Sequence, residues 1–455
     1  MSRPVLQRRL GPLDAAAIIV SNVIGGGIFL TPAVIAGLTG EPWTMVGVWL
    51  LGGAIAFAGA MAYAELAAVR PDAGGEYVYL RDAFGPIAAF LTGWTSFVAG
   101  FSGAIAASAV GFASYLGRFL PAASDTRPLV EFGLGPLRVA ATPQGLVAIA
   151  LIVLLTLIHI RGVGPGRIVQ NLLAAAKVTF LIVLVIVGFG IGDGSWTHFE
   201  QAQPAPAGGW LLALVPVMFS YAGWNAASYV AEEIRNPEKF LPRSLALGTG
   251  AVVLLYFALN VLYVYSLPVT ELATLSGSVM DVIAERLFGA RAGDLMGIMT
   301  AISIAASVSA MVIAGPRVYF AMARDGLFFR KAVEIHKRYG TPANAIVAQS
   351  AWSILLVLSG SFNQLITYTG FSVVLFSGIA GVALFVLRRR HPDQVRPFRA
   401  WGYPVMPGLF VLASALIVVN AIWRDPGPSA AGVVIILAGL PLYVYLRLRR
   451  PTAGA

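Results

Sequence analysis

Apolar residues run through this chain in long unbroken blocks rather than alternating with polar ones. Twelve blocks are long enough to cross a bilayer, which takes about 20 residues per helix. Their approximate limits are 13–36, 43–69, 84–116, 143–160, 169–191, 210–231, 243–266, 293–321, 343–360, 364–387, 403–423 and 430–446. Continuous runs of this length predict transmembrane α-helices, since a membrane β-barrel reads as short segments of alternating hydrophobicity. Short-period repeats are absent, so solenoids and propellers are not predicted. The stretch 74–85, GGEYVYLRDAFG, is amphipathic and predicts a short interfacial helix. The longest polar connections, about 117–142, 192–209, 267–292 and 322–342, predict no soluble domain. Residues 1–455 read as a single transmembrane domain of the all-α membrane class.

Composition agrees with the pattern. The chain is 58% hydrophobic and 11% charged, with a mean hydropathy of +0.80. A soluble domain carries about 25% charge, so a water-soluble enzyme is excluded, and a disordered chain would need the opposite balance. The net charge of +10 raises a nucleic-acid partner, and its placement removes it. With the N-terminus inside, the outer connections hold only Arg118, Arg127, Arg138, Arg286, Arg291 and Arg424; Lys177 alone lies within a span. Every other Lys and Arg falls inside, a bias of roughly four to one. That predicts a multi-pass protein of the cell (inner) membrane with both termini cytoplasmic, its basic residues lying near anionic headgroups of the lipid bilayer. No face carries the reading side chains a nucleic-acid partner needs. The apolar stretch behind the basic start runs on to Ile35, longer than a signal-peptide core, and predicts an uncleaved first span.

Candidate chemistry narrows further. There are no cysteines, which excludes disulfides, thiolate metal sites and a cysteine nucleophile. His159, His198, His336 and His391 fall at span ends or in connections and form no ligand spacing. An intramembrane enzyme would need a nucleophile with its base or clustered ligands, and a channel would need a selectivity ring or carbonyl filter; neither pattern is present. No cofactor or metal is predicted.

Two spans are predicted to break. Span 1 carries Gly25-Gly26-Gly27, and each glycine costs a helix interior about 1 kcal/mol relative to alanine. Packing against a neighbour needs glycine on one face only, so three in a row predict a break. Span 6 carries Pro216 and Gly223 about two turns apart, then Asn225. Interrupted spans opening the two halves of a chain point to a transporter binding site. Amides at the start of a second half-helix attract an anion, and carbonyls ending a first half attract a cation. An α-amino acid fits such a site. Its carboxylate would sit on the amides of Gly26 and Gly27 and its ammonium on carbonyls near Ile24, Phe219 and Ser220. Lys177 is a functional candidate by default as an intramembrane charge, against the alternative of snorkelling to the surface. It could act as a fixed cation or as a proton carrier. Glu65, near the end of span 2, reads as an inner-surface ion-pair residue, and His159 as interfacial.

At these residues the chain resembles the amino acid–polyamine–organocation (APC) superfamily. Gly25-Gly26-Gly27-Ile28-Phe29 looks like its span 1 motif. Further matches are Tyr63-Ala64-Glu65-Leu66, Gly74-Gly75-Glu76-Tyr77, Tyr221-Ala222-Gly223-Trp224-Asn225, Glu232-Glu233-Ile234-Arg235-Asn236-Pro237, Leu241-Pro242-Arg243, Arg317-Val318-Tyr319 and Ala323-Arg324-Asp325-Gly326. They run in order along residues 13 to about 390, and the span 6 block looks most like the L-type amino acid transporter branch and its bacterial relatives. The resemblance implies 12 transmembrane helices in a LeuT/APC-type five-plus-five inverted repeat with broken spans 1 and 6. The first repeat would cover about 13–191, the second about 210–387, with peripheral spans over about 403–446. It implies a substrate site at Ile24, Gly25, Gly26, Gly27, Phe219, Ser220, Ala222 and Asn225. Within it, Gly25–Gly27 would take the carboxylate and Phe219 would gate the pocket. Lys177 would stand in for a sodium ion between spans 1 and 8, faced by Ser307. Val373-Val374 depart from the larger or polar residues of some L-type members, which bears on substrate size.

The expected function is secondary amino acid transport by alternating access, by sodium-independent exchange or proton-coupled uptake. The pocket segments carry no carboxylate, which favours a neutral L-amino acid over the alternative of a cationic amino acid or polyamine antiporter. L-type members pair with a single-span subunit through a cysteine; without cysteine, a disulfide-linked partner is excluded.

Overall fold

The protein is described by a computed structural model covering residues 4–134, 137–360 and 362–448. Arg3, Arg449 and Arg450, counted above among the inside charges, lie outside the described residues. Apart from a single turn at Val269–Leu272, the α-helices in order are α1 (Pro12–Val23), α2 (Gly26–Thr39), α3 (Pro42–Val69), α4 (Glu76–Phe84), α5 (Pro86–Leu116), α6 (Pro143–Ile160), α7 (Val163–Ile191), α8 (Gly209–Tyr221), α9 (Ala226–Tyr229), α10 (Pro237–Ser266), α11 (Val279–Phe288), α12 (Ala290–Arg324), α13 (Ala343–Ser359), α14 (Phe362–Arg390), α15 (Val405–Arg424) and α16 (Pro426–Leu448). Among the described residues nine helices are long and apolar enough to cross a membrane, and ten if α1 and α2, bent by 46°, count as one span. Two shorter apolar helices, α8 and α13, add to these.

Local chemistry starts these helices where the pattern places them. Proline opens α1, α3, α5, α6 and α10, where its missing N–H would have had no partner anyway. The Glu41 carboxylate accepts from the amides of Trp43 (3.1 Å) and Thr44 (2.6 Å), capping α3. Thr142 does the same for α6 through the Gly145 amide at 2.9 Å.

α12 forms the centre: 83% of its apolar window is buried, against 28% for α7, α15 and α16, whose outer faces stay apolar and exposed. α12 packs against α1, α5, α6, α7 and α13, while α3 packs against α10 and α2 against α8. The stretch predicted as an interfacial helix does form α4, but Glu76, Tyr77, Val78, Tyr79, Leu80 and Ala83 are buried. Gly74 and Gly75, at φ +116° and +52°, turn the chain inward there, and the Gly74 amide bonds the Tyr229 carbonyl at 3.0 Å. His159 likewise is buried rather than interfacial, its Nε2 lying 2.9 Å from Ser309 Oγ. The 117–142 connection contains a short antiparallel hairpin, β1 (Val130–Leu134) with β2 (Leu137–Ala141), and a single parallel bridge joins Leu10 to Ile234; these are the departures from all-α structure among the described residues.

Candidate functional site

The first break lies at Ile24 and Gly25, between α1 and α2. Gly25 offers no side-chain cap to the first amides of α2, so those N–H groups are free of intrahelical partners. The three glycines differ in what surrounds them. A Cβ on Gly27 would lie 2.8 Å from Ser220 Cα, so this glycine is demanded by packing against α8. A Cβ on Gly26 would meet nothing nearer than Leu30 Cδ1 at 3.7 Å, and Gly26 is exposed. A Cβ on Gly25 would meet Ser307 Oγ at 3.5 Å. Internal packing therefore accounts for one glycine of the three.

The carbonyl side of the break is fully engaged. Lys177, 2% exposed, donates from Nζ to Ser21 O at 3.1 Å and to Ile24 O, and lies 3.4 Å from Ser307 Oγ. Ser307 Oγ reaches Ser21 O at 2.7 Å and Ile24 O at 3.2 Å, and Ser303 Oγ reaches Ile24 O at 3.4 Å. Lys177 therefore does not snorkel; its Nζ lies at the negative end of the first half-helix.

The second break follows α8. Ala222 is extended, and Gly223 has φ +103°, with Asn22 Nδ2 only 2.7 Å from where its Cβ would stand. Both features require glycine. The breaks are joined by the Tyr256 hydroxyl, 3.0 Å from Val23 O and 3.3 Å from Ser220 O, and by Thr31 Oγ1, 3.0 Å from Ser220 Oγ. Phe219, beside the second break, is 59% exposed.

Two expectations meet a different arrangement. The sequence predicts an ammonium on carbonyls near Ile24, Phe219 and Ser220. Each already accepts a bond, from Lys177, from the Ala222 amide (3.0 Å) and from Tyr256. Buried carbonyls at a broken helix end must be satisfied; Ile24 O is saturated by Lys177, Ser307 and Ser303, and only the second lone pairs of Phe219 and Ser220 remain. Asn225 is predicted in the pocket, and its amide donates to Glu76 Oε1 at 2.7 Å and to the Tyr229 hydroxyl at 3.1 Å. Glu76 is thus a buried carboxylate directly beneath the second break, where none was expected. The periodicity of α4 concealed it, because an acidic residue in an amphipathic stretch reads as solvent-facing.

The face of the bundle bearing Leu10 is tied together by ion pairs. Arg317 bonds Glu233 (2.6 Å), and Arg324 bonds Glu232 (2.8 Å), which also accepts from the amides of Leu6 and Ala73. Glu65 holds Arg388 at 2.5 Å and Arg396 at 3.2 Å and accepts from the Ala400 amide. Glu65, Glu232, Glu233, Arg317 and Arg324 each stand in motifs legible in the sequence; which of them pair with which was not.

A family model described as amino acid permease matches residues 10–446, a stretch that takes in both breaks, Lys177 and all of these ion pairs. The chain belongs to the amino acid permease family. The permease is 31% identical over 445 residues to "Large neutral amino acids transporter small subunit 2" of Homo sapiens, covering 96% of this chain and 80% of that one. It is 28% identical over 448 residues to "Serine/threonine exchanger SteT" of Bacillus subtilis (strain 168), covering 98% of each. It is also 28% identical over 451 residues to "Asc-type amino acid transporter 1" of Mus musculus, covering 97% of this chain and 81% of that one. The resemblance to the L-type branch seen in the sequence is therefore upheld, and the permease is an amino acid transporter.

Proposed function

We propose that this permease exchanges neutral L-amino acids across the cell membrane by alternating access, without sodium. The observation that carries the reading is the pair of breaks: free amides at the start of α2 for a carboxylate, with Lys177 filling the cation position behind them. A fixed ammonium on the Ser21 and Ile24 carbonyls leaves no charge for sodium to supply. Gly25, Gly26 and Gly27 hold the substrate carboxylate. Ser220, Ala222 and the second lone pair at Phe219 face its ammonium, while Asn225 acts on the pocket from below. The Phe219 ring closes over the substrate. The neutral preference agrees with the names of the relatives above, two of which specify neutral or hydroxylated amino acids.

In this reading the ten spans defined by length, together with α8–α9 and α13, make twelve. The first ten form two inverted repeats, and both termini are cytoplasmic, so the face bearing these ion pairs is the inner one. No disulfide-linked subunit takes part, because there is no cysteine to bind it.

The test is exchange of labelled serine and leucine by purified protein in liposomes preloaded with unlabelled amino acids, with and without sodium. Saturable, sodium-independent exchange that falls at least tenfold in Lys177→Ala is the expected result. Exchange of arginine or putrescine alone would overturn the neutral preference, and a sodium requirement would overturn the role of Lys177.

A further inference from the structure

Glu76 is 7% exposed and takes no part in the substrate contacts above. Its Oε1 accepts from three neutral donors on three elements: Tyr63 Oη of α3 at 2.7 Å, Asn225 Nδ2 of the second break at 2.7 Å, and Ser377 Oγ of α14 at 2.9 Å. The Tyr229 hydroxyl of α9 is a fourth partner. The other titratable groups facing it are phenols: Tyr63 and Tyr229, and Tyr79 on its own helix. The charged groups of neighbouring elements turn elsewhere. Asp325 of the α12 terminus takes Tyr77 and Arg81 of α4, Arg388 of α14 takes Glu65, and Arg390 takes the Ala83 carbonyl. No Lys, Arg or His bonds Glu76 among the described residues. Burial pushes its carboxyl up against the pull of its donors.

The donor set is split between elements with different fates. Tyr63 and Ser377 lie on long continuous helices, whereas Asn225 and Tyr229 belong to the short broken segment that any rearrangement at the second break displaces. A carboxylate that loses half its donors without gaining a cation can stay buried only by becoming neutral.

We propose that Glu76 is a proton-binding site of the transport cycle. Its carboxylate is ionised while Asn225 and Tyr229 donate to it. When that segment moves away it takes a proton from solvent, forming a neutral O–H, and it returns the proton when the donors come back. By linkage, acid favours the displaced arrangement and alkali the present one. This rests on the transporter reading above.

The test measures amino acid exchange in liposomes between about pH 5 and 8, a range reached by modest upward shifts of a carboxyl. Wild type is expected to vary with pH, and Glu76→Gln, which permanently carries the neutral donor form, to give a flat profile. Tyr63→Phe removes one donor to the carboxylate and is expected to move the midpoint up by about one pH unit. A flat wild-type profile, or a Glu76→Gln profile that follows wild type, overturns the proposal while leaving amino acid exchange intact. Where Glu76→Gln fails to fold, Tyr63→Phe decides: a shifted midpoint supports the site and an unshifted one overturns it. Wild-type protein that is folded but exchanges no amino acid removes the transporter reading itself, and this inference with it.

Discussion

Gly26 and Gly27 are neighbours with separate reasons to be glycine, and alanine at each position distinguishes them. At Gly27 a Cβ falls 2.8 Å from the backbone of Ser220, so α2 and α8 must separate or bend. Gly27→Ala is expected to destabilise the protein by about 2 kcal/mol, within the range for overpacking, and to lower its melting temperature in detergent. At Gly26 the added methyl meets only Leu30 Cδ1 at van der Waals distance. Gly26→Ala is expected to leave the melting temperature unchanged while the methyl obstructs an anion approaching the α2 amides. Substrate KM should then rise about tenfold, equivalent to ~1.4 kcal/mol of lost binding. Unchanged KM in a stable Gly26→Ala protein would place the carboxylate elsewhere.

The broken spans behave as elements, each held by a few polar ties in place of continuous backbone hydrogen bonds. At the first break Lys177 and Ser307 share the carbonyls of Ser21 and Ile24. Ser307→Ala leaves the ammonium in place and removes hydroxyl bonds worth about 1 kcal/mol, so exchange should fall about fivefold. Lys177→Ala removes the charge itself and should cost at least tenfold. Equal losses in the two variants would mean that charge at this position is irrelevant. At the second break Gly223 combines φ +103° with close approach to Asn22. Gly223→Ala is expected to cost ~1–3 kcal/mol of stability through backbone strain, read as a lowered melting temperature.

On the scale of the whole molecule, the ion pairs Arg317–Glu233, Arg324–Glu232 and Arg388–Glu65 close one face while Gly26 and Phe219 remain exposed. Arg317 and Glu233 are 4% and 1% exposed, and removing one partner of a buried pair leaves an uncompensated charge worth about 3–5 kcal/mol. Arg317→Ala should therefore shift the population toward arrangements open at this face. The natural absence of cysteine makes that directly visible. Ile18→Cys, at a position buried on α1, is expected to resist a water-soluble maleimide in the otherwise native protein and to react several-fold faster when combined with Arg317→Ala. Equal reactivity in both backgrounds would show that the pair does not hold the face closed.

The chain's own pattern determined the membrane class, the helical spans and the break in span 1. These depend on local quantities: the length of apolar runs, the positions of proline, and the helix cost of consecutive glycines. The polar residues at span ends, Glu65, Glu232 and Glu233, were legible as motifs for the same reason. Tertiary structure alone decided what each polar group meets. Lys177 finds Ser21 and Ile24 from 153 or more residues away, Tyr256 bridges two breaks, and Glu76 turns from an expected surface position into a buried cluster with Tyr63, Asn225 and Ser377. His159 moved inward in the same way, onto Ser309. Burial of a polar side chain depends on donors brought by distant segments, and no local window of sequence contains them. Hydropathy therefore places such a residue at the surface, whereas the packed bundle, which must satisfy each buried polar atom, places it beside its partner.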